Sequence, residues 1–247
     1  MARINLILGA KGGIGKSFIA ALLAQYLTDA RKDKPPICVD MDFKTTTFFK
    51  YNGKGLNVKL IDLETDGDID RRKFDVFVHM ITESSPDDIF VVDTGGNIYL
   101  TLMNFIITNG VADMLLDTGN ELLLHIPIMG GQELDETLDT LVEVIQELPP
   151  AVMIAVWINQ FNGLVEKNGK SFEQSEIYNQ NKARIRAITY FPKWRSDMEQ
   201  DVSEMLKARM SFDFADRTTS FSIMERQRLK MAKRLLYQAV EMSRVCQ

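Results

Sequence analysis

The sequence predicts an α/β protein built on a doubly wound, mostly parallel sheet with helices on both faces. Three observations predict it. Short apolar runs alternate with longer segments of helical period, the signature of β-α-β units. A glycine-rich stretch, GAKGGIGKS at 9–17, joins the first apolar run to the first helical segment. Aspartate or asparagine closes several of the apolar runs, where an open parallel sheet gathers its ligand-binding strand ends.

The elements follow in order. INLIL is a first strand, and after the glycine-rich loop Ile19, Leu22, Leu23, Tyr26 and Leu27 fall at i, i+3, i+4, i+7 and i+8, one face of a helix. ICVD follows the breaker KDKPP and IFVVD follows SSPDD, and both read as buried strands ending in aspartate. ELLLHIPIM comes next, then a helix over about 132–148 with Leu134, Leu138, Leu141, Val142 and Ile145 in register. The strands VMIAVWIN and RIRAITYF complete the core. The polar, Gly/Asn-rich stretch 161–182 reads as an excursion from the sheet edge that ends in a short helix. With 247 residues and 45% hydrophobic content, 1–247 reads as one domain able to bury a large core.

The glycine-rich loop carries the chemistry. An ordinary phosphate loop, G-x-x-x-x-G-K-[ST], cradles phosphates with backbone N–H groups, reaches the β/γ-phosphates with its lysine and binds Mg²⁺ through its hydroxyl. Gly15, Lys16 and Ser17 match the end of that pattern, but Ala10 stands where its first glycine belongs. The narrower pattern K-G-G-x-G-K-[ST] fits at every position: Lys11, Gly12, Gly13, Ile14, Gly15, Lys16 and Ser17. The helix that follows presents its N-terminus to the phosphates, so ATP with Mg²⁺ is the expected ligand.

Polar residues at the strand ends complete the candidate site. Asp93, closing IFVVD before Thr94-Gly95-Gly96, is placed to hold a water of the Mg²⁺ shell, and Asp40, closing ICVD, to share the metal. Asp42, two residues on, is a candidate to orient the attacking water, or alternatively to cap a helix starting at KTTTFFKY. His125 sits mid-strand in LLLHIPI, the place of a core histidine, and His79 lies on a predicted helix. Neither supplies the paired acid and base of a metabolic ATP-dependent enzyme, which stands as an alternative reading beside a nucleotide-binding module without turnover. Cys38 and Cys246 form neither a disulfide framework nor a C-x-x-C metal site, and suit a reducing cytoplasm. The apolar start runs straight into the loop with no cleavage-type segment, and no uninterrupted apolar run approaches the roughly 20 residues of a membrane span.

KGGIGKS, VDMD and FVVDTGG together resemble the ParA/MinD family of deviant Walker A ATPases over most of the chain. The resemblance implies a P-loop ATPase that binds ATP between two subunits. Lys16 would bind the nucleotide in its own chain, and Lys11 would reach the phosphates of the other, making nucleotide binding a dimerisation event. It also implies that Asn159, closing VMIAVWIN, meets the adenine edge, and that Pro192 in YFPKW flanks the base. Phe18 departs from the pattern, standing where a second Thr/Ser is usual in the nucleotide loop. Phe43 replaces the proline that commonly follows the two aspartates. Within the family, GKSFEQ, NKAR and RQRLK are similar to TraL-type ATPases of conjugative plasmid transfer regions, implying a role in plasmid transfer, maintenance or partition and a protein partner from such a system. A nitrogenase-reductase-like carrier shares the loop, but the two cysteines here do not suit a bridging cluster.

Charge is uneven along the chain. The net charge is −5 overall, yet 217–247 carries about +5. A last helix over about 220–245 places Met224, Met231, Leu235, Ala239 and Met242 on one side. Arg226, Lys230, Lys233 and Arg244 lie opposite, with Arg228 on the apolar side. Read plainly, the apolar side packs on the fold and the basic side is solvated. A functional reading gives the basic side to non-specific DNA contact, favoured over a membrane surface because several of the apolar residues are Met and Ala and Tyr237 is the one aromatic after Phe221.

Overall fold

A computed structural model describes residues 1–246. Seven strands form one sheet: β1 (Arg3–Ile7), β2 (Ile37–Asp40), β3 (Val58–Leu60), β4 (Ile89–Asp93), β5 (Glu121–Met129), β6 (Met153–Asn159) and β7 (Ile185–Tyr190). Their order is β7-β6-β5-β1-β4-β2-β3 and every pairing is parallel. The chain therefore winds outward from β1 in one direction and, after β4, in the other, so the loop after β1 lies at the switch point where an open α/β sheet binds its ligand.

Helices cover both faces, as a parallel sheet requires. Alternate residues along each strand enter two separate cores. Ile4, Leu6, Val92, Leu124 and Val156 face α2 (Phe74–Thr82), α3 (Tyr99–Thr108), α4 (Val111–Asp117) and α5 (Leu134–Glu147). Ile7, Val91, Leu123, Ala155 and Trp157 face α1 (Lys16–Ala30), α7 (Ser196–Lys207), α8 (Phe212–Arg217) and α9 (Ile223–Ser243). The stretch 161–182 leaves the sheet edge as foreseen. It forms a hairpin pairing Glu166–Lys167 with Lys170–Ser171 and then α6 (Glu176–Asn181), which Ser175 caps by accepting from the Tyr178 N–H. Among the described residues no single helix is long and apolar enough to cross a membrane.

Two points correct the sequence reading. Strand β3 and helices α3, α4, α7 and α8 have no predicted counterpart. Helix α9 exists, with Ser222 and Glu225 forming a capping box, but it packs through a different side. Leu229, Ala232, Leu236 and Val240 are the buried residues, while Met224, Met231, Leu235 and Met242 are exposed. The two stripes lie about a third of a turn apart. The buried one carries small and branched side chains that let the helix approach β7, α7 and α8 closely, which the long methionines do not. Arg228, the apparent exception, sits between the stripes and closes a two-point ion pair on the buried Asp201 of α7, at 2.5 and 3.2 Å.

Candidate functional site

The loop 9–15 turns from β1 into α1 through two left-handed residues, Gly13 at φ +80° and Gly15 at φ +105°, conformations that side chains strain. Gly15 is also the N-cap of α1 and offers no capping side chain, so the first N–H groups of the helix remain available to an anion. A Cβ at Gly12 or Gly13 would meet nothing within 4 Å, so this rim is open. Ile14 points the other way and is buried. Lys16 is 7% exposed and donates to the carbonyl of Lys11 at 2.6 Å. Burial lowers its pKa, and Asp93 and Asp42 oppose that by favouring the ammonium.

The aspartates divide into different tasks. Asp93 is fully buried, and neither carboxylate oxygen has a hydrogen-bond partner. Burial and then the neighbouring Asp40 push its carboxyl up to about 8, while the Ser17 hydroxyl and Lys16 pull it down. An orphaned carboxylate inside a protein is costly unless a cation joins it. Asp93 beside Ser17 and Lys16 therefore fits a Mg²⁺–nucleotide. Among the described residues no group of three His, Cys, Asp or Glu could hold a metal alone.

Asp40 is held by the backbone. Its Oδ1 accepts from the Asp42 N–H and its Oδ2 from the Phe49 N–H, both at 2.8 Å, so it shapes the loop after β2. Burial raises its pKa to about 6, against those two bonds. Asp42 accepts from the Thr45 N–H at 3.2 Å and the Thr45 hydroxyl at 2.5 Å. It thus caps a turn, not the helix that its structural alternative expected, and it also faces the site. A Cβ at Gly95 would stand 2.7 Å from its carboxylate carbon, and a Cβ at Gly96 would stand 2.5 Å from the carbonyl oxygen of Ala10. The three loops after β1, β2 and β4 are therefore packed backbone to carboxylate and backbone to backbone. Thr94 adds a bond from its hydroxyl to the Ile7 carbonyl at 2.7 Å.

Beside the loop lies a cavity of about 830 Å³ lined by Gly13, Gly15, Phe18, Asn159, Phe191 and Pro192 among others. Phe18 and Phe191 are in ring contact at 5.2 Å, so the residue that departs from the family pattern builds an aromatic wall of this cavity. Asn159 donates to the Ile14 carbonyl at 3.2 Å and accepts from the Phe161 N–H at 3.1 Å, bracing the loop against the end of β6. Phe161 and the residues of α7 that line this cavity escaped the sequence reading, because no local spacing links them to the loop. His125 is not in the site. Trp157 donates to its Nδ1 and its Nε2 meets Asn5, both at 3.0 Å, and burial drives its pKa down to about 3, so it is a neutral core residue. His79 lies on the exposed side of α2.

On the basic helix the cations are largely neutralised by acids of the same chain. Lys230 pairs with Asp216 at 2.9 Å, Lys233 with Asp29 and Asp213 at 2.7 Å each, and Arg228 with Asp201.

Comparison with known proteins agrees with this geometry. Residues 6–193 match the model of the CobQ/CobB/MinD/ParA nucleotide binding domain. Two curated Escherichia coli proteins named Protein TraL are 37% identical over 246 residues and 38% identical over 242 residues. The first alignment covers 99% of this chain and 100% of the relative, and the second 98% of each. Among solved structures, a candidate plasmid partition protein from Borrelia burgdorferi B31 bound to AMPPNP superposes with a TM-score of 0.54 at 17% identity, over 98% of this chain and 99% of that one. MinD in the Aquifex aeolicus MinC:MinD cell division complex does so at 0.53 and 14%, over 97% and 95%. These two show the fold, a P-loop α/β sheet. With the loop from Lys11 to Ser17 built as an open anion cradle and the family model spanning most of the chain, this protein belongs to the CobQ/CobB/MinD/ParA nucleotide-binding family.

Proposed function

We propose that this protein is a slow, Mg²⁺-dependent ATPase that dimerises on binding ATP and acts as a cytoplasmic switch in conjugative transfer or maintenance of a plasmid. The observation that carries the reading is the disposition of the two loop lysines: Lys16 lies buried under the cradle, whereas the Lys11 side chain is 44% exposed on its outer side. One is placed to anchor a nucleotide within the chain and the other to meet something beyond it. The near full-length similarity to TraL proteins supports the plasmid setting, with a protein of the transfer or partition machinery as partner.

The site divides the work among its own residues. Backbone N–H groups from Gly12 to Ser17 orient the phosphates and Lys16 neutralises them. Mg²⁺, bound with the triphosphate beside Ser17 and Asp93, would offset charge on the transferred phosphoryl group. Asp42, held by Thr45, orients the attacking water, and the aromatic wall of Phe18 and Phe191 with Pro192 receives the base. Lys11 of each subunit reaches the partner's nucleotide, a trans-acting cation of a kind worth about 10³ to 10⁵ in rate in related phosphoryl transfers. For contact with DNA we propose Arg234 and Arg244, the exposed cations of α9 without an acid partner among the described residues.

Light scattering and phosphate release test the switch together. Wild-type protein should double its mass with ATP and not with ADP. Lys11→Ala should bind ATP yet stay monomeric, and Asp42→Ala should dimerise without turnover. Equal mass with ADP and ATP in the Asp42→Ala protein would refute it.

A further inference from the structure

In the single chain Lys11 is already engaged. Its Nζ lies 2.9 Å from Oε2 of Glu136, in the first turn of α5. That turn holds two acids, Asp135 and Glu136, and Glu133 is its N-cap, each with a separate attachment. Asp135 pairs with Lys167 at 2.6 Å, and Glu133 accepts from Asn162 at 3.3 Å. The carboxylate of Glu136 has no partner but Lys11 among the described residues. The Lys11 main chain is meanwhile fixed, because its carbonyl accepts from Lys16. Only its side chain is free to choose, and it lies against α5.

Resting on the reading of the site as a dimerising nucleotide switch, we propose that Glu136 is a holder for Lys11, keeping it in its own chain until the nucleotide of a second copy draws it across. The physical chemistry suits a reversible holder. Both side chains are nearly half exposed, 44% and 48%, so the pair is weak and the release of Lys11 leaves no buried charge. Glu136 left alone remains favourable, because a carboxylate in the first turn of a helix faces the positive end of the helix dipole. The competition is then between one carboxylate and a triphosphate. ATP presents a γ-phosphate that ADP lacks, so ATP wins Lys11 and ADP leaves it with Glu136. The holder therefore sharpens the difference between the two nucleotides and discourages pairing of empty chains. Because a two-fold dimer moves two lysines, each release enters the dimer constant twice.

The test uses the full chain with Asp42→Ala, so that ATP persists, at one fixed salt concentration. Glu136→Gln keeps the shape and removes the charge. It should tighten the ATP dimer by about 2- to 30-fold, the square of what an exposed ion pair contributes, and leave the ADP form monomeric. Glu136→Asp, which keeps the charge, should fall closer to the parent. In nucleotide-free protein the ¹⁵Nζ resonance of Lys11, identified by its loss in Lys11→Ala, should shift in Glu136→Gln. Parent protein that dimerises with ATP while Glu136→Gln dimerises equally or less tightly would overturn the holder and leave the switch standing. An unshifted Lys11 resonance would overturn it independently of any dimer. A parent that never dimerises with ATP would overturn the switch reading, and the holder with it.

Discussion

The contact between the loop after β1 and the loop after β4 is close enough to be tested by one methyl group. Gly96 has an ordinary negative φ, so replacing it with alanine adds no backbone strain and isolates the steric effect. The new Cβ would stand 2.5 Å from the Ala10 carbonyl oxygen and 3.3 Å from the carbonyl carbons of Ala10 and Lys11. All three are backbone atoms, so no side chain can swing aside, and the loops must part by something approaching 1 Å. Overpacking of this kind costs about 1–3 kcal/mol, against about 0.4–1 kcal/mol gained from stiffening the unfolded chain. The net expectation is a loss of about 0.5–2 kcal/mol in urea unfolding. The nucleotide should register the change more strongly, because a displacement of about 1 Å in a positioned group can cost 10²-fold in catalysis. Gly12→Ala is the control. Its φ is also not positive and its Cβ would meet nothing within 4 Å, so without nucleotide it should be more stable than wild type by the unfolded-chain gain alone, about 0.4–1 kcal/mol. Calorimetric titration with ATP and urea unfolding of both variants make the assay. Gly96→Ala with wild-type stability and ATP affinity would refute the close packing of the two loops.

Three further expectations follow from the same structure. Lys16→Ala removes the cation beneath the cradle and should abolish ATP binding by calorimetry, because the remaining N–H groups orient an anion without neutralising it; wild-type affinity would displace the site. His125, with a folded pKa of about 3 against 6.5 in the unfolded chain, contributes stability that is complete above pH 6.5 and lost as pH falls toward 3. Between pH 7 and pH 5 it should account for a loss of about 2 kcal/mol, and His125→Gln should show a correspondingly flatter pH profile, an unchanged profile refuting the assignment. Arg234→Gln with Arg244→Gln should reduce the slope of log K for duplex DNA against log salt by up to about 3.6 in the ATP dimer, at 0.9 for each of four charges; an unchanged slope would assign these arginines to bulk solvent.

The architecture was legible where a run of residues carries one meaning. Buried parallel strands such as IFVVD and VMIAVWIN are apolar on both faces, so their composition alone declares them, and six of the seven strands end within a residue of the expected place. Strand β3, three residues long with Lys59 exposed at its centre, offers too little pattern to be seen. Helices α7 and α8 bury Met198, Val202 and Met205, then Phe212 and Ala215, stripes too short or interrupted to stand out from a polar background. Helix α9 failed for the opposite reason. It carries two apolar stripes, and periodicity cannot say which one meets the sheet. What decides it is the shape of the groove offered by β7, α7 and α8, a property of distant sequence.

The candidate site shows the same limit in chemical form. Spacing singled out Lys11, Lys16, Ser17, Asp42 and Asp93 as candidates, and the fold gathers the ends of β1, β2 and β4 that carry them. Spacing could not divide the aspartates, since carboxylates at the ends of neighbouring strands look alike until their partners are known. Asp40 meets two backbone N–H groups and braces the loop after β2, while the buried Asp93 carboxyl, pushed up to about 8 by burial and Asp40, is drawn to its charged form where a cation joins it. The Lys11–Glu136 contact was equally invisible, because its two members follow different strands, β1 and β5, and lie 125 positions apart in sequence. A motif therefore names the groups that can act on a nucleotide, and the partners each group holds in the folded chain determine what the nucleotide must displace before they do.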